Sequence, residues 1–222
     1  MKKKTAAVFL ILAIVLLTSC QTGGGGDAEQ QESALYTQTI TLCALNPDNS
    51  SSLENILPIM SQRLEHMGYG GSCAVSGDDI SLSVTSDHEI MRDEREEIIR
   101  RMCMSGKLTF DDSDGNHYLT CADFESVSCR FDERYYIDVT LNDEGAEKYA
   151  ELVLQVFEKW QSVENFVALS CDGKVLAKVT VGSENEASKT VSFTGLLTGN
   201  DAEWIVYAYE NPLPAELTEK EE

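Results

Sequence analysis

The stretch SCAVSGDDISLSVT, residues 72–85, has the pattern of a β-hairpin and decides how the elements around it are arranged. Ser72–Ser76 and Ile80–Thr85 are short strand candidates, and Gly77-Asp78-Asp79 between them is a turn signal. Two strands joined by so short a turn pair antiparallel in one sheet. The neighbouring segments must therefore pack around this hairpin.

A helix is expected on each side of the hairpin. The first has apolar residues at helical spacing and ends at Gly68; they are Leu53, Ile56, Leu57, Met60, Leu64 and Met67. Pro58 either kinks this helix or marks its first turn. The second helix can be capped by Ser86 or Asp87. Its apolar residues are Ile90, Met91, Ile98, Ile99 and Met102.

One more strand is expected beyond each helix, at Tyr36–Leu45 and at Lys107–Phe110. The order is then β-α-β-β-α-β, which is the order of ferredoxin-like folds. We therefore predict an α+β protein whose first domain, residues 35–112, is a ferredoxin-like base. The acidic segment 111–116 fails the EF-hand spacing and is predicted to be a polar turn.

A second small α+β domain is expected over residues 117–214. Its predicted elements are a strand at Tyr135–Leu141, a helix from Asn142, a hairpin of Phe166–Ser170 and Val175–Val181 around Asp172-Gly173, a strand at Val191–Thr194, and a helix that begins near Thr198 and stops before Pro212. An aromatic stripe on the first of these helices favours core packing over a cofactor wall. Residues 215–222 are expected to form an acidic tail.

The amino terminus has the pattern of an export signal. Three lysines precede roughly a dozen apolar residues, a run shorter than the about 20 that a membrane span needs. Leu17-Thr18-Ser19-Cys20 resembles the bacterial lipobox. We expect a signal peptide at residues 1–19, lipidation of Cys20 by diacylglycerol and palmitate-type chains, and a glycine-rich tether at 20–34. The alternative is an ordinary signal peptide or an uncleaved anchor.

The predicted location is therefore the extracytoplasmic face of the bacterial cell membrane, with the lipid on Cys20 as the membrane partner. The formal net charge of −21 argues against nucleic acid as a partner, because proteins that bind nucleic acid present a basic surface. It also argues against lying flat on an anionic lipid surface. Basic or unfolded polypeptides are compatible with this charge.

Six cysteines follow Cys20, at positions 43, 73, 103, 121, 129 and 171. An even number in an exported chain permits up to three disulfides. Cys121 and Cys129 flank a short segment and are the best local candidate pair. The alternative is that the cysteines are free thiols packed as small apolar side chains.

The sequence contains no motif of a known catalytic site. His66, His88 and His117 show no metal-ligand spacing with cysteine, and no phosphate-binding glycine loop or serine elbow is present. A cysteine–histidine pair assembled in space stays open, as does a hydrolytic enzyme in general. We expect no cofactor, no metal and no enzymatic activity.

Several phrases, in colinear order, resemble the first extracytoplasmic region of SecD, the export subunit, over residues 36–217. The matching stretches are Ile59–Gly68, Glu97–Phe110, Leu141–Ala150, Asp172–Ala177, Thr194-Gly195 and Asn211–Leu217. The resemblance implies a ferredoxin-like base with a head domain that binds translocating polypeptide. It implies exported polypeptides or the Sec translocon as partners.

This sequence departs from SecD in two respects. No transmembrane helix is expected after Leu217, and the sequence contains six cysteines that the phrases of the family do not include. We therefore expect a polypeptide-binding lipoprotein that assists export without proton-coupled motor activity. The rival hypothesis is a structural or adhesion-type protein of the cell envelope.

Overall fold

The structure is a computed structural model that describes residues 35–45, 53–158, 165–182, 188–195 and 197–220. The predicted signal peptide, Cys20 and the tether lie outside the described residues. Ala34–Glu222 form one compact unit that contains two antiparallel sheets. Within the described residues, no helix has both the length and the apolar character needed to cross a membrane. The predicted α+β class is confirmed.

The elements of the first half, in chain order, are β1 (Tyr36–Ala44), α1 (Leu53–His66), β2 (Gly70–Ser76), β3 (Asp79–Ser86), α2 (Arg92–Cys103), β4 (Leu108–Asp111) and β5 (His117–Thr120). A 3-10 turn at Cys121–Asp123 follows. The second half contains β6 (Phe124–Asp132), β7 (Arg134–Leu141), α3 (Asp143–Glu158), β8 (Phe166–Cys171), β9 (Lys174–Thr180), β10 (Thr190–Thr194), α4 (Gly199–Glu210) and β11 (Leu217–Glu219).

The first sheet has four strands in the order β11-β1-β3-β2, and its neighbouring strands are antiparallel. The hairpin of β2 and β3 is the one predicted from residues 72–85, and Gly77 has a φ of 67° in its turn. Alternate residues of β1 and β3 are buried against α1 and α2, including Ile40, Leu42 and Leu82. This is the ferredoxin-like strand order when β11 takes the fourth place.

The prediction that Lys107–Phe110 forms the fourth strand of this sheet is wrong. Residues 108–111 form β4, which pairs with β8 and β5 in the other sheet. The strand β11, in the segment predicted to be an acidic tail, takes its place beside β1. The reason is burial, because Phe110 is fully buried against the rings of Phe124, Tyr149 and Phe193 in the larger core. The two sheets therefore do not follow the predicted division at residue 112.

The second sheet has seven strands in the order β5-β4-β8-β9-β10-β7-β6. The predicted hairpin of β8 and β9 is present, with positive φ at both Asp172 (52°) and Gly173 (71°), as a type I′ turn requires. Helix α3 contacts β5, β7 and β8, and α4 contacts β6 and β7. Thr198 caps α4, because its hydroxyl accepts from the backbone N–H of Asp201 at 3.2 Å. The base is thus the four-stranded sheet with α1 and α2. Along the chain, the whole seven-stranded sheet is inserted between α2 and β11 of this base.

The acidic segment between β4 and β5 is a turn closed by its own side chains. The Asp112 carboxylate accepts from the backbone N–H groups of Asp114 and Asn116, each at 2.9 Å. The backbone N–H of Gly115 donates to the Asp112 carbonyl oxygen at 3.1 Å, and Gly115 has a φ of 81°. This is the polar turn that the sequence predicts.

Candidate functional site

The described strands leave four sheet edges, and they differ in how well they are protected against pairing with another chain. β5 and β11 have only four and three residues. β6 is longer, but it has an irregular register near Phe124 and charged residues at 125, 130 and 132. Bulges, charges and shortness are the devices that keep edges unpaired. β2 has seven residues, and none of them is charged or proline.

The register of the hairpin shows which groups of β2 face outward. Ser76 pairs with Asp79 across the two-residue turn, and Cys73 pairs with Leu82. The pair that closes a two-residue turn is hydrogen-bonded, and hydrogen-bonded and free pairs then alternate. Gly71, Cys73 and Val75 therefore direct their backbone N–H and C=O groups away from β3. These groups have no partner strand in the part of the chain that the structure describes, and they form an edge of the four-stranded sheet.

The side chains of β2 leave this edge open. Val75 is 36% exposed, and Cys73 is half-buried beside α1, where it hydrogen-bonds Ser61. A Cβ on Gly71 would lie 2.0 Å from the carbonyl oxygen of Ser83, so glycine is required at that position. No long side chain of β2 reaches over its own backbone. A second extended chain could thus approach to the normal spacing of about 4.8 Å.

The face of the four-stranded sheet that points away from the helices is lined with hydroxyl groups. Residues opposite one another in the register share this face, and they include Thr37, Thr39 and Thr41 of β1, Ser81, Ser83 and Thr85 of β3, and Ser72 and Ser76 of β2. Asp79 lies at its end, where Lys220 pairs with it at 2.6 Å. In a chain of net charge −21, this face and the β2 edge are nearly free of charge.

A serine, a histidine and a glutamate meet at the start of α2. His88 Nδ1 lies 2.9 Å from Ser86 Oγ and 2.8 Å from Asp87 Oδ1, and Nε2 lies 2.8 Å from Glu94 Oε1. Hydrogen bonds that the His88 ring donates to Asp87 and then to Glu94 raise the pKa of His88. When protonated, the ring donates to both carboxylates and has no lone pair with which to take the Ser86 proton. When the ring is protonated, the cluster therefore stabilises the start of α2.

Two cysteines and a histidine line a cleft where α2, β4, the β8–β9 turn and β11 meet. Burial raises the pKa of Cys103 and of Cys171 to about 12, so both stay as thiols at neutral pH. Nδ1 of His117 is 2.6 Å from a carboxylate oxygen of Asp111. Within the described residues, no contact joins the His117 ring to either thiol. The described residues contain no group of three or more metal-ligating side chains.

The predicted Cys121–Cys129 disulfide is not present. All six cysteines of the described residues are free thiols, as the alternative reading of the sequence expected. Cys121 Sγ accepts from the backbone N–H of Leu108 at 3.1 Å, and Cys129 lies in the middle of β6 opposite Ile137. Cys121 thus contacts the backbone of β4, whereas Cys129 lies within β6, and neither sulfur is bonded to the other.

No family model and no curated protein sequence matches this chain. Among solved structures, a chain from the structure of SecDF, a membrane component that enhances protein export, superposes with a TM-score of 0.53 and 18% identity. The superposition covers 83% of this chain and 99% of that one. The chain has a SecDF-like fold. The resemblance found in the sequence is thus confirmed at the level of fold.

A second SecDF structure, in a super-membrane-facing form, gives a TM-score of 0.56 with 16% identity. It covers 84% of this chain, which spans 29% of the length of that protein. The likeness therefore covers both sheets of this chain and a minor part of that SecDF chain. At these identities it establishes the fold alone.

Sequence analysis did not identify the outward backbone groups at Gly71, Cys73 and Val75, although the lack of charged residues at 70–76 could have indicated an open strand edge.

Proposed function

We propose that this chain is a lipid-anchored extracytoplasmic module that binds extended segments of exported polypeptides and assists their export. The single observation that carries the binding is the β2 edge, which is seven residues long, uncharged and, among the described strands, unpaired. The likeness to SecDF, a component that enhances protein export, supports polypeptide as the ligand class. The lipobox-like sequence at residues 17–20 supports the anchor.

Strand addition explains how one site would accept many sequences. An incoming segment would pair with the outward backbone groups of Gly71, Cys73 and Val75, and backbone hydrogen bonds do not depend on side-chain identity. The adjacent hydroxyl face imposes no charge on the segment. The acidic surface elsewhere would attract basic segments and raise their rate of encounter. Binding of this kind needs no proton-coupled motor.

Val75→Pro tests this site without disturbing the hairpin. The Val75 N–H points outward, so proline removes one edge donor and leaves the hydrogen bonds between β2 and β3 intact. The photo-crosslinking amino acid p-benzoylphenylalanine replaces Ala74, an exposed neighbour on the hydroxyl face. Val75→Thr is the matched control, because it keeps the N–H and the branched shape.

In cells, we expect crosslinks from position 74 to many newly exported proteins, retained with Val75→Thr and strongly reduced with Val75→Pro. Equal melting temperatures of the two variants would show that the fold is unchanged. Absence of crosslinks under conditions that capture a known export factor would refute the proposal. A single stoichiometric partner would instead favour the envelope interaction protein.

A further inference from the structure

The cleft that holds Cys103, Cys171 and His117 has a volume of about 540 Å³. Volumes of roughly 300–1,000 Å³ are typical of sites for small organic ligands. Its walls come from the end of α2, from β4, from the β8–β9 turn and from β11, so it forms where the inserted sheet joins the base. The β2 edge does not contribute to it.

The inner wall of the cleft is apolar. Met104 and Leu217 line it and are 7% and 5% exposed, and Ile99 and Leu176 are partly buried beside them. Their side chains would cover an apolar body of a ligand. Removing such a surface from water is favourable in proportion to its area.

Two lysines at the rim of the cleft have no ion-pair partner among the described residues. Among the lysines of the described residues, Lys148, Lys189 and Lys220 are paired with carboxylates, whereas Lys107, Lys174 and Lys178 have no carboxylate partner. Lys107 and Lys174 both line the cleft. Lys178 instead lies over the ring of Phe166, 3.8 Å from its centroid.

The other charged groups of the cleft are mostly engaged. Arg100 is bound to Glu97 and Asp201, and Glu219 is paired with Arg95. The carboxylate of Asp172 accepts from the backbone N–H of Ser105 at 2.9 Å. Glu216 is the remaining carboxylate of the lining. Lys107 and Lys174 thus stand without an ion pair among the described residues, and the lining carboxylates without a cation partner there are Asp172, held by the Ser105 N–H, and Glu216.

We propose that this cleft binds a small organic anion with an apolar body, such as a medium-chain carboxylate, whose acidic group lies between Lys107 and Lys174. The apolar wall covers the hydrocarbon part, and the lysines replace the counter-ions of the acid. The site is separate from the β2 edge, so its ligand and the exported polypeptide are different molecules.

A pair of fluorescent probes separates the charge from the apolar body. 1-Anilinonaphthalene-8-sulfonate has a negative group, and N-phenyl-1-naphthylamine has nearly the same rings without it. We expect Lys107→Gln with Lys174→Gln to raise the Kd of the sulfonate about tenfold, since each exposed ion pair contributes modestly, and to leave that of the neutral probe within twofold. Lys178→Gln is the matched control and should change neither. Probe that binds elsewhere on the purified chain contributes equally in all variants, so it does not alter the comparison.

Decanoate should displace the sulfonate from the wild-type chain and should do so at about tenfold higher concentration from the double variant. An unchanged Kd of the sulfonate in the double variant would overturn the proposal. Equal weakening of both probes, or failure of decanoate to compete, would also overturn it. None of these results depends on crosslinking at β2, so the two proposals fail independently.

Discussion

Arg63 is a fully buried cation without a carboxylate partner among the described residues. Its guanidinium donates to the carbonyl oxygens of Arg101 (3.2 Å), Met102 (3.1 Å), Met104 (2.7 Å) and Asn211 (3.0 Å). These carbonyls lie at the ends of α2 and α4, where helix carbonyls lack partners and the helix dipoles are negative. Burial lowers the pKa of Arg63 to about 10, so it stays charged at neutral pH. One side chain thus joins α1 to the ends of two other helices.

Arg63→Met should lower the free energy of unfolding by about 3 kcal/mol, because it leaves several buried carbonyls without a donor. Arg63→Lys is the control, since it keeps the charge but offers a single nitrogen, and it should recover part of the loss. Denaturant unfolding of the two variants measures both values. A loss below about 1 kcal/mol for methionine would show that water replaces the guanidinium.

His88 gives the start of α2 a dependence on pH. Its pKa is raised by Asp87 and Glu94, so the protonated form is favoured in the folded chain. Stability from this group is fully present below the unfolded pKa of about 6.5 and is lost as the pH rises through the higher folded pKa. The contact with His88 also lowers the pKa of Asp87, and a hydrogen bond from Tyr69, then the one from His88, lowers the pKa of Glu94. The contribution of these two carboxyl groups is lost at acidic pH instead.

The pKa of His88, measured by NMR titration of the ring, should therefore lie above 6.5. Asp87→Asn should bring it down, because Asp87 is the largest cause of the shift and is itself exposed. Wild-type stability relative to His88→Gln should be greatest near pH 6 and should shrink toward pH 8. A ring that titrates below 6.5 would contradict the contact with the carboxylates.

Among the secondary-structure elements, type was easier to predict than partner. Regular spacing of apolar residues predicted α1, and the turn residues Gly77 and Asp172-Gly173 predicted two hairpins, because these signals are local. The partners of β4 and β11 could not be predicted. Leu108 and Phe110 suit either sheet, and a three-residue strand within an acidic end has no periodicity of its own. The outward direction of the β2 groups likewise depends on its having only one neighbour.

Ending the chain after Glu216 should destabilise the base, although the removed segment appears in the sequence as a charged tail. It would remove the buried Leu217, the pairing of β11 with β1, and the ion pair of Arg95 with Glu219. We expect a loss of about 3 kcal/mol and a melting temperature lower by roughly 6–12 °C. Ending the chain after Lys220 is the control and should leave the melting temperature unchanged. Equal melting temperatures would mean that β11 contributes nothing.

At the scale of the whole molecule, one sheet is inserted into the other. The chain leaves the base after α2, builds the seven-stranded sheet and returns as β11. At Gly106, where the chain leaves the base, the backbone lies so close to α4 that a Cβ would be 2.0 Å from the carbonyl oxygen of Ala208. β4, where the inserted sheet begins, and β11, where the chain returns to the base, both border the cleft. A ligand there would therefore contact the base and the inserted sheet together.

The proposed anchor is tested on the whole chain in cells. Cys20→Ala should release the protein from the membrane fraction or leave its precursor uncut, because the thiol that would carry the lipid is gone. Fractionation and the apparent mass of the protein show either result. Ser19→Ala keeps the cysteine and serves as the control. Mature protein that remains bound to the membrane in Cys20→Ala would refute the lipid anchor.

The sequence by itself determined the α+β class, the two helices around the first hairpin and most strand positions, since spacing and turn residues act over a few neighbours. Tertiary structure alone decided which sheet β4 and β11 joined, which carbonyls Arg63 meets and which lysines face the cleft. Arg63 and Asn211 are 148 positions apart along the chain. Such contacts depend on the burial of many side chains that are distant along the chain, so no local sequence pattern predicts them.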